Sequence, residues 1–289
     1  MQIIDPHLHL FDLSKGHYHW LKESNPPYWQ DKSIINHSFS EQQLTLSSPL
    51  TLAGFVHIEA GFDNEHPWRE VAWLESHCHL PFRSVAAVDL ALPPKKFIAQ
   101  VQQIMRYKSV VGCRHILDEQ ANHLLSLPQV TENLAYLAQQ QLSFDLQMPL
   151  SDKKSVALLT RLLSALPTLT IIINHSGCPP KVLSSNAGKY WQKGLEQLSQ
   201  FSQCAIKCSG FELVNRNYTL DWQNKIIQQC LLLFGTQRVM LASNFPLCLF
   251  TQSYNKFWQE ISTSAEILNL PQSDLFYNNA TYWYKFSKS

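Results

Sequence analysis

Two histidines open the chain within one short apolar run, Ile3-Ile4-Asp5-Pro6-His7-Leu8-His9-Leu10. Read as a β-strand, residues two apart share a face. Asp5, His7 and His9 are then expected on one face, with Ile4, Leu8 and Leu10 on the other. Paired imidazoles can ligate one metal ion, or act as acid and base on one substrate atom. Similar polar groups end most of the later apolar runs: His57 and Glu59; Asp89; Arg114 and His115; Asp145 and Gln147; Asn174 and His175; Lys207 and Ser209; Ser243 and Asn244. A ring of polar groups at one end of many strands requires mutual hydrogen bonds or a ligand. Arg114 in particular calls for a carboxylate or oxyanion partner.

Elements of regular spacing must carry these groups. Eight strands are expected at about 3–10, 52–60, 82–90, 110–117, 142–149, 169–177, 204–212 and 238–246. Their near-continuous apolar character is that of parallel strands covered on both faces. Helical stripes separate most of them: Phe97, Val101, Ile104 and Met105; Val156, Leu159, Leu163 and Leu166 behind a Ser151 cap; Trp222, Ile226, Cys230 and Leu233 ahead of Gly235. The alternation predicts an α/β fold, a (β/α)₈ TIM barrel, formed by a single domain over 1–289. An open doubly wound sheet would carry a glycine-rich phosphate turn after an early strand, and none is present among nine glycines. Residues 11–50, rich in aromatics and proline, and 178–190 are long connections of the kind that cover sites. Of the first, Trp20, Tyr28 and Trp29 are expected to supply a cavity contact. Residues 271–289 read as a final helix that packs Leu275, Phe276, Tyr282, Trp283 and Phe286 on the barrel.

Composition excludes several functions. Lys+Arg 23 against Asp+Glu 22 leaves no basic footprint for nucleic acid or an anionic membrane. No apolar run approaches the ~18 residues of a membrane span, and no basic-then-apolar leader is read at the start. Seven cysteines without a Cys-x-x-Cys pair suggest buried thiols in a reduced, cytoplasmic protein. The partner expected is a small-molecule substrate. Oligomeric state is not legible.

The ordered motifs Asp5-Pro-His-Leu-His9, His57-Ile-Glu-Ala60, Gly112-Cys-Arg-His115, Asn174-His-Ser-Gly177, Lys207-Cys-Ser-Gly210, Ala242-Ser-Asn-Phe-Pro246 and Asn279-Ala280 span nearly the whole chain. Together they resemble the amidohydrolase-related family, in the branch that holds L-fuconolactonases and 2-pyrone-4,6-dicarboxylate lactonases. The resemblance implies a barrel of the metal-dependent hydrolase type and hydrolysis of the lactone of a sugar acid or an aromatic-pathway acid. It implies His7, His9 and His175 at the reaction centre, with Asn244 at the end of strand eight, and Arg114 and His115 on the substrate side. Substrate contacts are further expected from His57, Glu59, Gln147 and Trp20. The family's strand-eight motif reads Gly-Ser-Asp-Trp-Pro, so Asn244 stands where an aspartate activates water or ligates metal. An amide cannot usefully take a proton near neutral pH. A histidine of the set, or His57 paired with Glu59, is then expected as base. No cofactor is required; a divalent cation such as zinc, if bound, would take His7, His9 and His175. Alternatives are a metal-dependent amidohydrolase or nonoxidative decarboxylase of the same fold, or a binding protein that keeps the pocket without turnover.

Overall fold

The computed structural model describes residues 1–267 and 271–286. Eight strands follow one another around a single parallel sheet: β1 Gln2–Leu8, β2 Thr51–Ile58, β3 Phe82–Ala87, β4 Val110–Ile116, β5 Ser143–Gln147, β6 Ile171–Ile173, β7 Cys204–Cys208 and β8 Val239–Leu241. Residues just beyond β8 close the sheet onto β1. Asn244 N–H donates to His7 O at 2.9 Å and His9 N–H to Phe245 O at 2.6 Å. The result is a nearly closed TIM barrel wrapped by helices α1 Trp68–His77, α2 Pro94–Ile104, α3 Ala121–Ser126, α4 Pro128–Gln139, α5 Lys153–Ala165, α6 Asn186–Ser199, α7 Phe211–Val214, α8 Leu220–Phe234, α9 Tyr254–Ile267 and α10 Asn279–Trp283.

Two apolar layers hold it together. Inside the barrel, Ile4, Val56, Ile58, Val85, Val111, Ile172, Ala205 and Met240 pack on one another. Between barrel and helices lie the buried faces of α2 (Phe97, Val101, Ile104), α5 (Val156, Leu159, Leu163) and α8 (Ile226, Cys230). Helices α5, α6 and α8 start where a side chain satisfies a free N–H, as Asp152 does for Lys154, Ser185 for Gly188 and Thr219 for Trp222. The cap of α5 is thus Asp152 rather than the expected Ser151, one residue nearer the first helical turn. The tail adds Leu275 and Phe276 to the outer layer, while Ala280 and Tyr284 plug the inside of the barrel. Tyr282, expected in that packing, is 74% exposed. Residues 287–289 of the expected tail helix lie outside the described residues.

The strands end earlier than their apolar runs suggest. β6 stops at Ile173 and β8 at Leu241, against expected ends of 177 and 246. His175, Ser176, Gly177 and Cys178 all take positive φ, at 52°, 53°, 68° and 55°. For non-glycine residues that conformation costs about 1–2 kcal/mol each. Backbone of this kind concentrates where a side chain must be held at a set angle.

The first strand also departs from simple alternation. Its pairing with β2 shifts register between Ile3 and Ile4, and again between Asp5 and Leu8. Pro6, which has no N–H to give the ladder, sits inside the second irregularity. Consequently Ile4 points into the barrel whereas Leu8 and Leu10 pack in the outer layer. Asp5 does not share the histidines' face. Its carboxylate accepts from Ser243 Oγ at 2.5 Å and from the Ser243 and His7 N–H groups at 3.2 Å each. Asp5 therefore ties β1 to the segment after β8. Burial pushes its carboxyl up to about 6, against the hydrogen bonds from Ser243 and His7.

Candidate active site

The carboxyl ends of the strands open into a cavity of about 620 Å³. His9, Glu59, Arg114, Gln147, His175 and Asn244 stand on its wall, each from a different strand or the turn that follows it. Trp20, Pro26, Pro27 and Trp29 from the long first connection cover it, while Tyr28 is 73% exposed. Trp20 is pinned by its Nε1–H, which donates to Ala60 O at 2.7 Å. Trp29 lies under Arg216, whose guanidinium is paired with Asp31 at 2.7 Å and stacked 3.9 Å from the centre of the Phe250 ring. The cover is thus fastened to the segment after β7.

Two imidazoles, His9 and His175, form the floor, and a third, His7, lies behind them. His7 is fully buried, its ring centre 4.6 Å from that of His175 and 5.1 Å from that of His9. Neither ring nitrogen of His7 finds a hydrogen-bond partner among the described residues. His9 Nδ1 lies 2.7 Å from Ile58 O, and a carbonyl can only accept. Nδ1 therefore carries the proton and Nε2 the lone pair. His175 Nδ1 lies 3.0 Å from Ser209 Oγ. The ring also packs against Gly210, where any Cβ would collide with it. Burial holds the pKa of all three well below the usual histidine value, aided by Lys207 at His7 and His175 and by Arg114 at His9 and His175. They are neutral at physiological pH.

Arg114 is committed within the protein. Nε–H donates to Glu59 Oε1 and an Nη2–H to Glu59 O, both at 2.8 Å, while Nη1 donates to Gln147 Oε1 at 3.0 Å. Beneath the floor, Lys207 donates to Asp145 Oδ2 at 2.6 Å and Tyr284 O–H donates to the same oxygen at 2.8 Å. Burial lowers the Lys207 ammonium to about 8, opposed by that carboxylate.

Two expected site residues stand elsewhere. His57 does not pair with Glu59. Its Nδ1 accepts from Leu10 N–H at 3.2 Å and its Nε2–H donates to Glu70 at 3.0 Å, so neither nitrogen is free to take a proton from water. The strand places His57 beside α1, which supplies Glu70, whereas Glu59 turns to Arg114 on β4. His115 follows the inward Arg114 and so turns away from it. It accepts from Leu90 N–H at 3.0 Å and lines an adjoining recess of about 440 Å³ with Asp89 and Gln100, which shares Glu59, Asn64 and Arg114 with the main cavity.

Three acidic residues at or beside the cavity escaped the sequence reading. Glu212, on the single turn α7, is 1% exposed, and its Oε1 accepts from Asn244 Nδ2 at 2.5 Å. Burial pushes its carboxyl up to about 7. A glutamate between Phe211 and Leu213, directly after the Lys207-Cys-Ser-Gly210 motif, was the available signal. Asp118 and Glu119 were also missed; both border the cavity.

Among the described residues, no three His, Cys, Asp or Glu side chains converge as metal ligands. The imidazoles have suitable chemistry, being neutral, yet their nitrogens do not meet at one point. Beside them stands Asn244, a neutral amide whose Nδ2 is turned to Glu212 rather than to the imidazoles. The residues do not fit a resident metal as they stand. All seven cysteines are free thiols, and no helix among the described residues is long and apolar enough to cross a membrane.

The amidohydrolase family model matches residues 4–286. The uncharacterized protein y4mH of Sinorhizobium fredii is 29% identical over 298 residues, covering 98% of each chain. An amidohydrolase from Burkholderia multivorans, solved with bound zinc, superposes with a TM-score of 0.81 at 18% identity, over 99% of this chain and 100% of that one. A probable 2-pyrone-4,6-dicarboxylic acid hydrolase from Acinetobacter baumannii, solved with citric acid bound, gives a TM-score of 0.69 at 17% identity, again over 99% and 100%. At these identities the solved structures share the barrel.

Proposed function

The chain belongs to the amidohydrolase family, and from that premise we propose that this hydrolase opens the ring ester of a neutral, hydroxyl-rich lactone. The observation that carries the substrate class is the charge of the cavity wall. Glu59, Asp118 and Glu119 border it, and Arg114, the one Lys or Arg lining it among the described residues, is already bonded to Glu59 and Gln147. Such a wall opposes the two carboxylates of an aromatic-pathway dicarboxylate. It suits hydroxyl groups, which can donate to Glu59 and Asp118, and Trp20 and Trp29 offer flat faces to a sugar ring. The substrate carboxylate first expected for Arg114 and His115 is therefore set aside.

The neutral imidazoles supply the chemistry. His9 Nε2 holds a lone pair toward the cavity, with its ring fixed by Ile58 O. A water placed between His9 Nε2 and Asn244 Oδ1 gives its proton to His9 as its oxygen attacks the lactone carbonyl carbon. With Ser209 donating to His175 Nδ1, the His175 Nε2–H is left to stabilise the carbonyl oxygen as it becomes an oxyanion. The tetrahedral intermediate then breaks its ring C–O bond, and the imidazolium returns the proton to the leaving alkoxide. Because burial disfavours protonated His9, that ion is a ready acid. The product acid ionises near neutral pH and releases one proton per turnover.

The test is a proton-release screen of aldonolactones beside 2-pyrone-4,6-dicarboxylate. Turnover of neutral sugar lactones alone is expected. Hydrolysis confined to the dicarboxylate overturns the charge argument, and tight lactone binding without product favours a binding role.

A further inference from the structure

The carboxylate missing from the end of β8 has a neighbour of the same chemistry one segment away. Gly210 takes φ 67° and turns the chain from β7 into α7, which carries Glu212 inward beside Asn244. Asn244 has its own backbone held, with φ 58° and its N–H donated to His7 O. Its Nδ2 is committed to Glu212, while its Oδ1 is buried with no partner among the described residues, and the residue borders the cavity beside His9 and His175. The other groups facing Glu212 are Arg216 on its own segment, Tyr218 beyond it, and Cys248 from the turn after β8. Burial raises the Tyr218 and Cys248 side chains and keeps them neutral. Arg216 is the one cation facing it among the described residues, and Asp31 engages it.

A side-chain amide can present either end with little change of shape, and only its neighbours choose. An ionised carboxylate can only accept, so it draws Nδ2 toward itself and leaves Oδ1 for the cavity. A protonated carboxyl can donate to Oδ1, which turns Nδ2 outward instead. The geometry points to Glu212 as the positioning residue that sets which end of the Asn244 amide the cavity sees, so that the pair stands in for the aspartate at the end of β8. With the oxygen outward, Asn244 accepts from the hydrolytic water and aims its lone pair at the carbonyl. With the nitrogen outward, it competes with that water as a donor. Burial places the Glu212 carboxyl at about 7, so both states are populated near neutral pH. Only the water-aiming role rests on the proposed lactone hydrolysis; the amide switch itself does not.

Two readouts separate these claims. The first needs no substrate: the Asn244 side-chain ¹⁵N–¹H signals, identified by their loss in Asn244→Ala, are followed from pH 5.5 to 8.5. A titration with midpoint near 7 is expected in the wild type and none in Glu212→Gln. A wild-type signal that does not move overturns the switch, whether or not the variant folds. The second readout is the pH profile on a lactone. Glu212→Gln is expected to lower kcat by about tenfold or more with a smaller change in KM, and to erase the acidic limb near neutrality. The exchanged pair Glu212→Gln with Asn244→Asp is expected to regain rate. A Glu212→Gln enzyme that keeps the wild-type acidic limb overturns the positioning role. If the amide titrates and no lactone is turned over, the switch stands and the lactonase reading falls.

Discussion

Replacing Asn244 by aspartate puts a second carboxylate directly against Glu212. The Asn244 Nδ2–Glu212 Oε1 contact of 2.5 Å leaves no room for solvent between the two groups, and both residues are 1% exposed. Two carboxylate charges about 4 Å apart at an effective dielectric near 20 repel by about 4 kcal/mol. That is about three pKa units on the second ionisation of the pair. Burial already pushes Glu212 to about 7, so the pair is expected to hold one shared proton through neutrality. The sign follows from linkage. A carboxyl whose folded pKa is raised is most compatible with folding at low pH, and destabilises progressively as pH rises from its unfolded pKa to its folded one. Between pH 5 and 8 one retained proton amounts to about 4 kcal/mol, at about 1.4 kcal/mol per pH unit. Wild-type Glu212, already pushed up to about 7, retains its own proton over about two of those three pH units, so variant and wild type differ by about 1.4 kcal/mol. At about 2–4 °C per kcal/mol, the melting temperature of Asn244→Asp relative to wild type should fall by on the order of 4 °C across that range. Calorimetry at pH 5, 6.5 and 8, with chelator present, measures it, and the slope should vanish when Glu212→Gln is added. A variant whose deficit is the same at pH 5 and pH 8 would refute the buried adjacency. The same repulsion means that any gain in rate from the new carboxylate is to be sought above neutral pH or in the Glu212→Gln background.

Lys207→Met should cost about 3–5 kcal/mol by leaving Asp145 charged and unpaired in the barrel, and Lys207→Met with Asp145→Leu should recover most of it; urea unfolding that finds the single variant no weaker than the double contradicts the pairing. His9→Asn should lower kcat/KM by about 10²–10⁴-fold with little loss of melting temperature, and undiminished turnover would remove His9 as base. Because burial holds the three imidazoles well below the usual histidine value, protonating them should inhibit only well below pH 6.5, so a limb near 7 that persists in Glu212→Gln contradicts their assigned neutrality. Metal binding is expected to be weak or absent and activity insensitive to chelator; one equivalent of zinc surviving dialysis against chelator, with activity lost on its removal, shows the reverse.

The local pattern of the chain determined the architecture. Apolar runs too continuous for one-sided strands, separated by helical stripes, admit a parallel sheet covered on both faces, and eight of them make the barrel. The polar ends of those runs marked the face that opens into the cavity, the carboxyl ends of the strands; His9, Glu59, Arg114, Gln147, His175 and Asn244 do line it together. What periodicity could not supply was lateral position. A strand's alternation holds only while its register holds, and the irregularity around Pro6 sends Asp5 to Ser243 while His7 and His9 turn inward. Partners across strands depend on how β2, β4 and α1 pack, so Glu59 met Arg114 and His57 met Glu70. Glu212 is the clearest case. On paper it is one acidic residue in an apolar segment, and only the turn at Gly210 and the closing of β8 onto β1 bring it, dry and close, against the Asn244 amide.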